Sequence, residues 1–211
     1  MVRVIPAILA KTKEEFESKV SSVRDFASEL QLDIMDGKFV PNVTWGDTDE
    51  IKKMNLPLFE VHLMVQNPEQ EVGKWAEAGA KRIIAHAEAI ANLPLYIEAV
   101  KKAGCEVGIA INPVTPVAAI SNFLSNFDAV LVMGVAPGFS GQEFQPAAIE
   151  KVAEIRKLNQ NLSIEVDGGV SEDNARELIK AGADALVAAS AIFKSDNPKA
   201  AYEKLLATIT S

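Results

Sequence analysis

Asp33-Ile34-Met35-Asp36-Gly37-Lys38-Phe39-Val40-Pro41-Asn42 closes a short apolar run with a carboxylate and then a glycine turn, so Asp33 reads as the end of a strand. Far downstream, Ile164-Glu165-Val166-Asp167-Gly168-Gly169 has the same construction, with β-branched residues leading to Asp167. If both runs belong to one closed parallel barrel, Asp33 and Asp167 face each other across its mouth. Two opposed carboxylates can take a proton from one face of a carbon and return one to the other. That pairing points to an epimerase or isomerase.

Outward from these two motifs, short β-rich runs alternate with longer amphipathic stretches. Strands are expected at Val4–Leu9, Leu30–Met35, Leu58–Leu63, Arg82–His86, Glu106–Ile111, Ala129–Met133, Ser163–Val166 and Ala185–Ala188. Helical periodicity runs over Lys13–Leu30, Glu69–Ala78 and Ala147–Leu158. After the seventh strand, Ser171 reads as an N-cap with Asn174 behind it, and Ala181-Gly182 as the stop. Similar glycine stops stand at Ala78-Gly79-Ala80 and Ala103-Gly104. This repetition predicts an α/β chain folded as a (β/α)8 TIM barrel, with residues 1–211 as one domain. An open doubly wound sheet is the alternative, weakened because no Gly-x-Gly-x-x-Gly follows the first strand.

Composition narrows the partners. A net charge of −8 argues against nucleic acid or an anionic membrane, although backbone N–H groups can still bind a phosphate. Cys105 is the single cysteine, which excludes intrachain disulfides and cysteine-based zinc clusters. No apolar run reaches the roughly 18 residues of a membrane span. Val4–Ala10 is too short for a secretion signal and runs into Lys11-Thr12-Lys13, so a cytoplasmic protein is expected.

Gln31 and Asp33 are two apart on one strand and share a face. His62 ends the third expected strand and Asp167 the seventh. Gln31, Asp33, His62 and Asp167 would then converge as a mixed oxygen and nitrogen set suited to a divalent metal. Two close carboxylates cannot both stay ionised unaided. A metal would hold both charged, and without one they would form an acid and base pair; residue types alone leave both states open. Three loops invite an anion: Pro137-Gly138-Phe139-Ser140-Gly141, Gly168-Gly169 and Ala189-Ser190. Met35, Met64 and Met133 all fall at strand ends and suggest an apolar cover over reacting carbons. His86, in Ala85-His86-Ala87-Glu88, is read as structural, and Lys38 as solvated. No lysine stands at a strand end in a Schiff-base setting, which argues against aldolase chemistry.

Together these blocks resemble the ribulose-phosphate 3-epimerase family, from Pro6-Ala7-Ile8-Leu9 through to Ser190-Ala191-Ile192-Phe193. The most specific are Asp33–Asn42, Val61-His62-Leu63-Met64, Asn112-Pro113-Val114-Thr115-Pro116, Pro137–Gln142 and Glu165–Gly169. The resemblance implies a TIM barrel that interconverts D-ribulose 5-phosphate and D-xylulose 5-phosphate, with Asp33 and Asp167 as acid and base. It implies one divalent ion (zinc, iron, manganese or magnesium) on Asp33, His62 and Asp167, and the three methionines as a cap over the enediolate. Gly138, Phe139, Ser140, Gly141, Gly168, Gly169 and Ser190 match its phosphate and substrate loops, with His62 also near substrate. Asn112 and Pro113 match a motif of structural role, and the family forms homo-oligomers.

Three positions depart from the family pattern. Gln31 stands where a histidine is usual, Ala7 where a serine is, and Ala189 where a glycine is. Gln31 is expected as a weaker fourth ligand that lowers metal affinity or moves preference toward iron, manganese or magnesium. Ala7 removes a substrate-facing hydroxyl worth about 0.5–1.5 kcal/mol, and Ala189 adds a methyl beside the phosphate. The alternatives are epimerisation of another ketose phosphate, such as a hexulose 6-phosphate, or a non-catalytic phosphosugar-binding protein.

Overall fold

A computed structural model describes residues 2–210 and turns the eight runs into eight parallel strands closed in a ring. They are β1 (Arg3–Ile8), β2 (Glu29–Met35), β3 (Leu58–Met64), β4 (Arg82–His86), β5 (Glu106–Ile111), β6 (Ala129–Met133), β7 (Ser163–Asp167) and β8 (Ala185–Ala188). Each pairs with the next, and β8 returns to β1 from Arg3↔Ala185 to Pro6↔Ala188. The fold is a (β/α)8 barrel, and the open sheet is excluded. Met1 and Ser211, the ends of the expected 1–211 unit, lie outside the described residues.

Helices α1 (Lys13–Val23), α2 (Thr48–Lys53), α3 (Val72–Glu77), α4 (Leu93–Lys102), α5 (Ala147–Leu158), α6 (Glu172–Ala181), α7 (Ser190–Phe193) and α8 (Pro198–Thr210) alternate with the strands. Between β5 and β6 the crossover is two 3-10 segments, Val117–Ala119 and Ser121–Asn126. Ser121, Asn122, Ser125 and Asn126 crowd that stretch with side chains that compete for backbone hydrogen bonds. Around α6 the expected signals are in place: Asn174 Oδ1 accepts from Ser171 N at 3.0 Å, and Gly182 stops the helix at φ +117°. Among the described residues, no helix is long and apolar enough to cross a membrane.

Two helix expectations need correction. The helix expected over Lys13–Leu30 ends at Val23, where Phe26 N and Ala27 N both bond to Val23 O. Glu29 and Leu30 instead open β2 and pair with Leu58 and Phe59. The periodicity ran on because the buried Leu30 falls where a further helical turn would also place an apolar residue. The Glu69–Ala78 stretch divides into a 3-10 turn, Pro68–Gln70, and α3.

Most apolar packing lies outside the barrel, between strands and helices, where Leu32, Val61, Ile83, Val130 and Ile164 meet residues such as Trp75 and Tyr96. The interior apolar cluster is small: Ile5, Ala7, Ile84, Ala110, Leu131, Met133, Ala185 and Val187. Bulky branched residues usually fill such a barrel. Here polar side chains occupy both ends. At the N-terminal end of the strands, Arg82 donates to Glu165 (2.6 Å), Glu60 (2.7 Å) and Glu106 (2.7 Å). Arg3 bridges Glu165 at 3.1 Å and also bonds Glu29. At the other end stand Gln31, Asp33, His62, His86 and Asp167, all buried.

Candidate active site

Side chains alternate along a strand, so the register Asp33↔His62 on β2 and β3 puts both inside the barrel at one height. Asp167 closes β7 and comes to the same point from across the barrel. Asp33 Oδ1 lies 3.2 Å from His62 Nδ1, and Asp167 Oδ2 lies 3.5 Å from it. Gln31 Nε2 donates to Asp33 Oδ1 at 2.8 Å and to Asp167 Oδ2 at 2.9 Å. The four residues read from the sequence as a convergent set are therefore together. His62 stands two residues short of the end of β3 rather than at its end.

Burial pushes the Asp33 carboxyl up, and the Asp167 charge adds to this, against the opposing pull of His62 and Gln31. Burial alone would lower His62, but hydrogen bonds and charge from Asp167 and Asp33 outweigh it and raise the imidazole to about 9. One oxygen or nitrogen from each of Asp33, His62 and Asp167 lies within 4.8 Å of the others, so this cluster could hold a metal ion. Gln31 adds an observation of its own. Its Oε1 is buried without a hydrogen-bond partner while its nitrogen serves both carboxylates. A half-turn of the amide exchanges the two atoms, so this side chain can offer donors to two carboxylates or an acceptor to a cation.

Above the carboxylates opens a cleft of about 490 Å³. Asp33, Asp167, Met35, Met64 and Met133 line its inner end, and residues 137–141, 168–170 and 188–190 line the rest. All three glycine-bearing loops and all three methionines thus meet in one cavity. Gly168 takes φ +99°, and a Cβ there would lie 2.5 Å from the Val135 side chain, so the β7 turn admits no larger residue without movement. Gln31 and His62 are fully buried beneath the cleft and do not line it. Ala7 does not line it either; it is buried beside Gln31, its register partner on β2. Ala189 and Ser190 do line it.

The remaining residues of the Asp33–Asn42 block hold loops in place. Asp36 Oδ1 accepts from Lys38 N (2.8 Å) and Phe39 N (3.0 Å), and its Oδ2 from Gln66 N (2.8 Å). Asn42 Nδ2 donates to Gly138 O at 2.8 Å, which ties the loop after β2 to the loop after β6. Lys38 is exposed, as expected of a solvated residue.

His86, read from the sequence as structural, reaches the site. Its Nε2 is 2.9 Å from His62 Nε2, and the rings stack at 5.0 Å with 26° between planes. Glu88 follows it, with Oε2 at 3.3 Å from His86 Nδ1. The available signal was the Ala85-His86-Ala87-Glu88 run at a strand end, but nothing in it names His62 as the neighbour.

Comparison with known proteins finds relatives along most of the chain. The profile of the ribulose-phosphate 3 epimerase family matches residues 3–193. Ribulose-phosphate 3-epimerase of Bacillus subtilis is 37% identical over 213 residues, covering 96% of this chain and 98% of that protein. The enzyme of that name from Chlamydia muridarum is 43% identical, covering 81% and 78%, and the chloroplastic one of Arabidopsis thaliana is 40% identical, covering 90% and 71%. Among solved structures, KGPDC from Streptococcus mutans superposes with a TM-score of 0.78 at 12% identity, covering 99% and 97%. 3-Hexulose-6-phosphate synthase from Salmonella typhimurium gives 0.74 at 17%, covering 99% and 98%, and both likenesses concern the fold alone. On sequence match across most of its length, the chain belongs to the ribulose-phosphate 3-epimerase family and is an epimerase.

Proposed function

We propose that the protein interconverts D-ribulose 5-phosphate and D-xylulose 5-phosphate by proton transfer at C3. The observation that carries this reading is the convergence of Asp33 and Asp167, from β2 and β7, at the inner end of a cleft whose other walls are glycine loops. A substrate carbon between two carboxylates can lose a proton to one and gain a proton from the other. In one direction the ionised Asp33 removes the C3 proton and a protonated Asp167 delivers one to the opposite face. Burial, with the nearby Asp167 charge, raises the affinity of Asp33 for a proton, which suits it to accept one. The reverse reaction exchanges the two roles.

Asp33, His62 and Asp167, with Gln31 through its amide oxygen, would hold a divalent cation, which supplies Lewis-acid stabilisation of negative charge developing on the substrate. Met35, Met64 and Met133 give the reacting carbons an apolar, polarizable cover that excludes water. Backbone N–H groups of residues 138–141, 168–169 and 189–190 are the proposed phosphate contacts, with Phe139 and Ser140 beside them. Such contacts explain how a chain of net charge −8 takes an anionic substrate.

The test is turnover of D-ribulose 5-phosphate by metal-stripped protein, before and after adding Fe²⁺, Mn²⁺, Zn²⁺ or Mg²⁺. Formation of xylulose 5-phosphate that depends on added metal supports the whole reading. Faster turnover of a hexulose 6-phosphate would reassign the substrate, and no turnover of either would leave a binding protein.

A further inference from the structure

The two ring nitrogens of His62 face different partners. Nδ1 looks toward Asp33 and Asp167, and Nε2 lies 2.9 Å from His86 Nε2. Two imidazole nitrogens at that distance share one proton, so one ring donates and the other accepts. Which does so is decided one residue further out. His86 Nδ1 is buried, has no aligned hydrogen-bond partner, and stands 3.3 Å from Glu88 Oε2. The other Glu88 oxygen is committed, because Oε1 accepts from Asn112 N at 2.9 Å and from the Thr115 hydroxyl. Asn112, Thr115 and His86 together keep Glu88 well ionised, at about 2, against the effect of its burial.

An ionised carboxylate only accepts. His86 must therefore carry its proton on Nδ1 and turn a bare Nε2 to His62. His62 then donates from Nε2, which leaves Nδ1 as the nitrogen whose proton, held toward the carboxylates in the metal-free site, a cation would displace. We propose that His86 and Glu88 are positioning residues that select this tautomer of His62 and keep Nδ1 available to a cation shared with Asp33 and Asp167. The proposal deepens the reading of Asp33, His62 and Asp167 as a metal site and rests on it. With the His86 proton on Nε2 instead, His62 Nε2 would have to accept it, and the one proton left to His62 would stay on Nδ1 and close that position.

The surroundings favour such control. The Phe39 ring packs 4.9 Å from His86 and both histidines are fully buried, so water does not compete for their protons. The Asn112-Pro113-Val114-Thr115 motif acquires a purpose as the anchor of Glu88. Lys151 of α5 fixes that anchor in turn by donating to Asn112 O at 2.7 Å.

Glu88→Gln is the decisive variant. Its amide oxygen can keep the Asn112 and Thr115 bonds, while its NH2 turns toward His86 Nδ1 and forces the proton to Nε2. Thr115→Val is the control, removing one loop anchor while leaving the carboxylate. The chain has two histidines, so ¹⁵N-histidine NMR reads these two rings alone. In the unmodified protein the His86 proton is expected on Nδ1, and in Glu88→Gln on Nε2. Zn²⁺ and Mn²⁺ affinities, from chelator competition, should fall about 10–100-fold in Glu88→Gln, as for other partners behind metal ligands, and hold in Thr115→Val. A His86 proton on Nε2 in the unmodified protein, or a tautomer that Glu88→Gln leaves in place, overturns the proposal. So does an equal affinity loss in Thr115→Val, which would make loop anchoring the cause. Failure of the unmodified protein to bind any metal refutes the metal reading instead, and the ring protons still decide the tautomer.

Discussion

The mouth and the floor of this barrel are both buried clusters of carboxylates, yet they are built for opposite ends. At the floor, Glu29, Glu60 and Glu165 are bridged by the guanidiniums of Arg3 and Arg82. At the mouth, Asp33 and Asp167 meet an imidazole and an amide. A guanidinium never gives up its proton and locks carboxylates in fixed forks. Imidazole gains and loses a proton, and an amide can turn. The floor residues do not line the cleft, whereas Asp33 and Asp167 at the mouth do. Carboxylates alone do not make an active site; the groups that answer their charge decide whether protons move or stay.

The largest expected effect separates the two ends by activity. Asp33→Asn should lower kcat by about 10²–10⁴-fold, the usual contribution of a positioned acid or base. Stability to urea should change little, and Glu60→Gln at the floor should leave kcat intact. Next comes Arg82→Met, which strips the shared donor from Glu60 and Glu165. Breaking a buried pair on one side should cost about 3–5 kcal/mol in urea unfolding, with turnover per folded molecule preserved. Loss of catalysis without loss of stability in Arg82→Met would erase the distinction between the ends.

Gln31→His sharpens the comparison at the mouth by replacing the amide with imidazole. Zn²⁺ affinity, read by chelator competition, should rise by at least the about 10–100-fold that partners behind a metal ligand command, and more than Mg²⁺ affinity does. The smallest effect is at the floor. Burial first, and then the Glu165 charge, push Glu60 well above its ordinary 4.5. A carboxyl with a raised folded pKa contributes its full stability below about 4.5, and that contribution is lost as pH rises. Glu60→Gln imitates the proton-bound form, so its melting temperature should exceed that of the unmodified protein near about pH 8, with the gap vanishing at low pH. A gap that widens on acidification would contradict this reading of the floor.

Much of the barrel and of its mouth was legible in the residue order. The strands announce themselves because each apolar run is short and a glycine stop precedes several of them. Gln31, Asp33, His62 and Asp167 could be placed at one mouth because alternation along a strand fixes which side chains point inward. The unread parts share a cause. His86 depends on the stagger between β3 and β4, where His62 is level with Ile84 rather than with His86. Arg82 reaches Glu165, 83 positions away, and no local pattern announces that pairing. The end of α1 is not legible because burial of Leu30 looks the same from a strand as from a helix.

In the proposed reaction Asp33 and Asp167 work on opposite faces of one carbon. Solvent-deuterium incorporation at C3 of D-ribulose 5-phosphate, followed by NMR in Asp33→Asn and Asp167→Asn, tests it most directly. Asp167→Asn should still exchange the C3 proton while forming no xylulose 5-phosphate, and Asp33→Asn should do neither. Steady interconversion of the two sugars by either variant would mean that the two carboxylates do not divide the proton transfer between them.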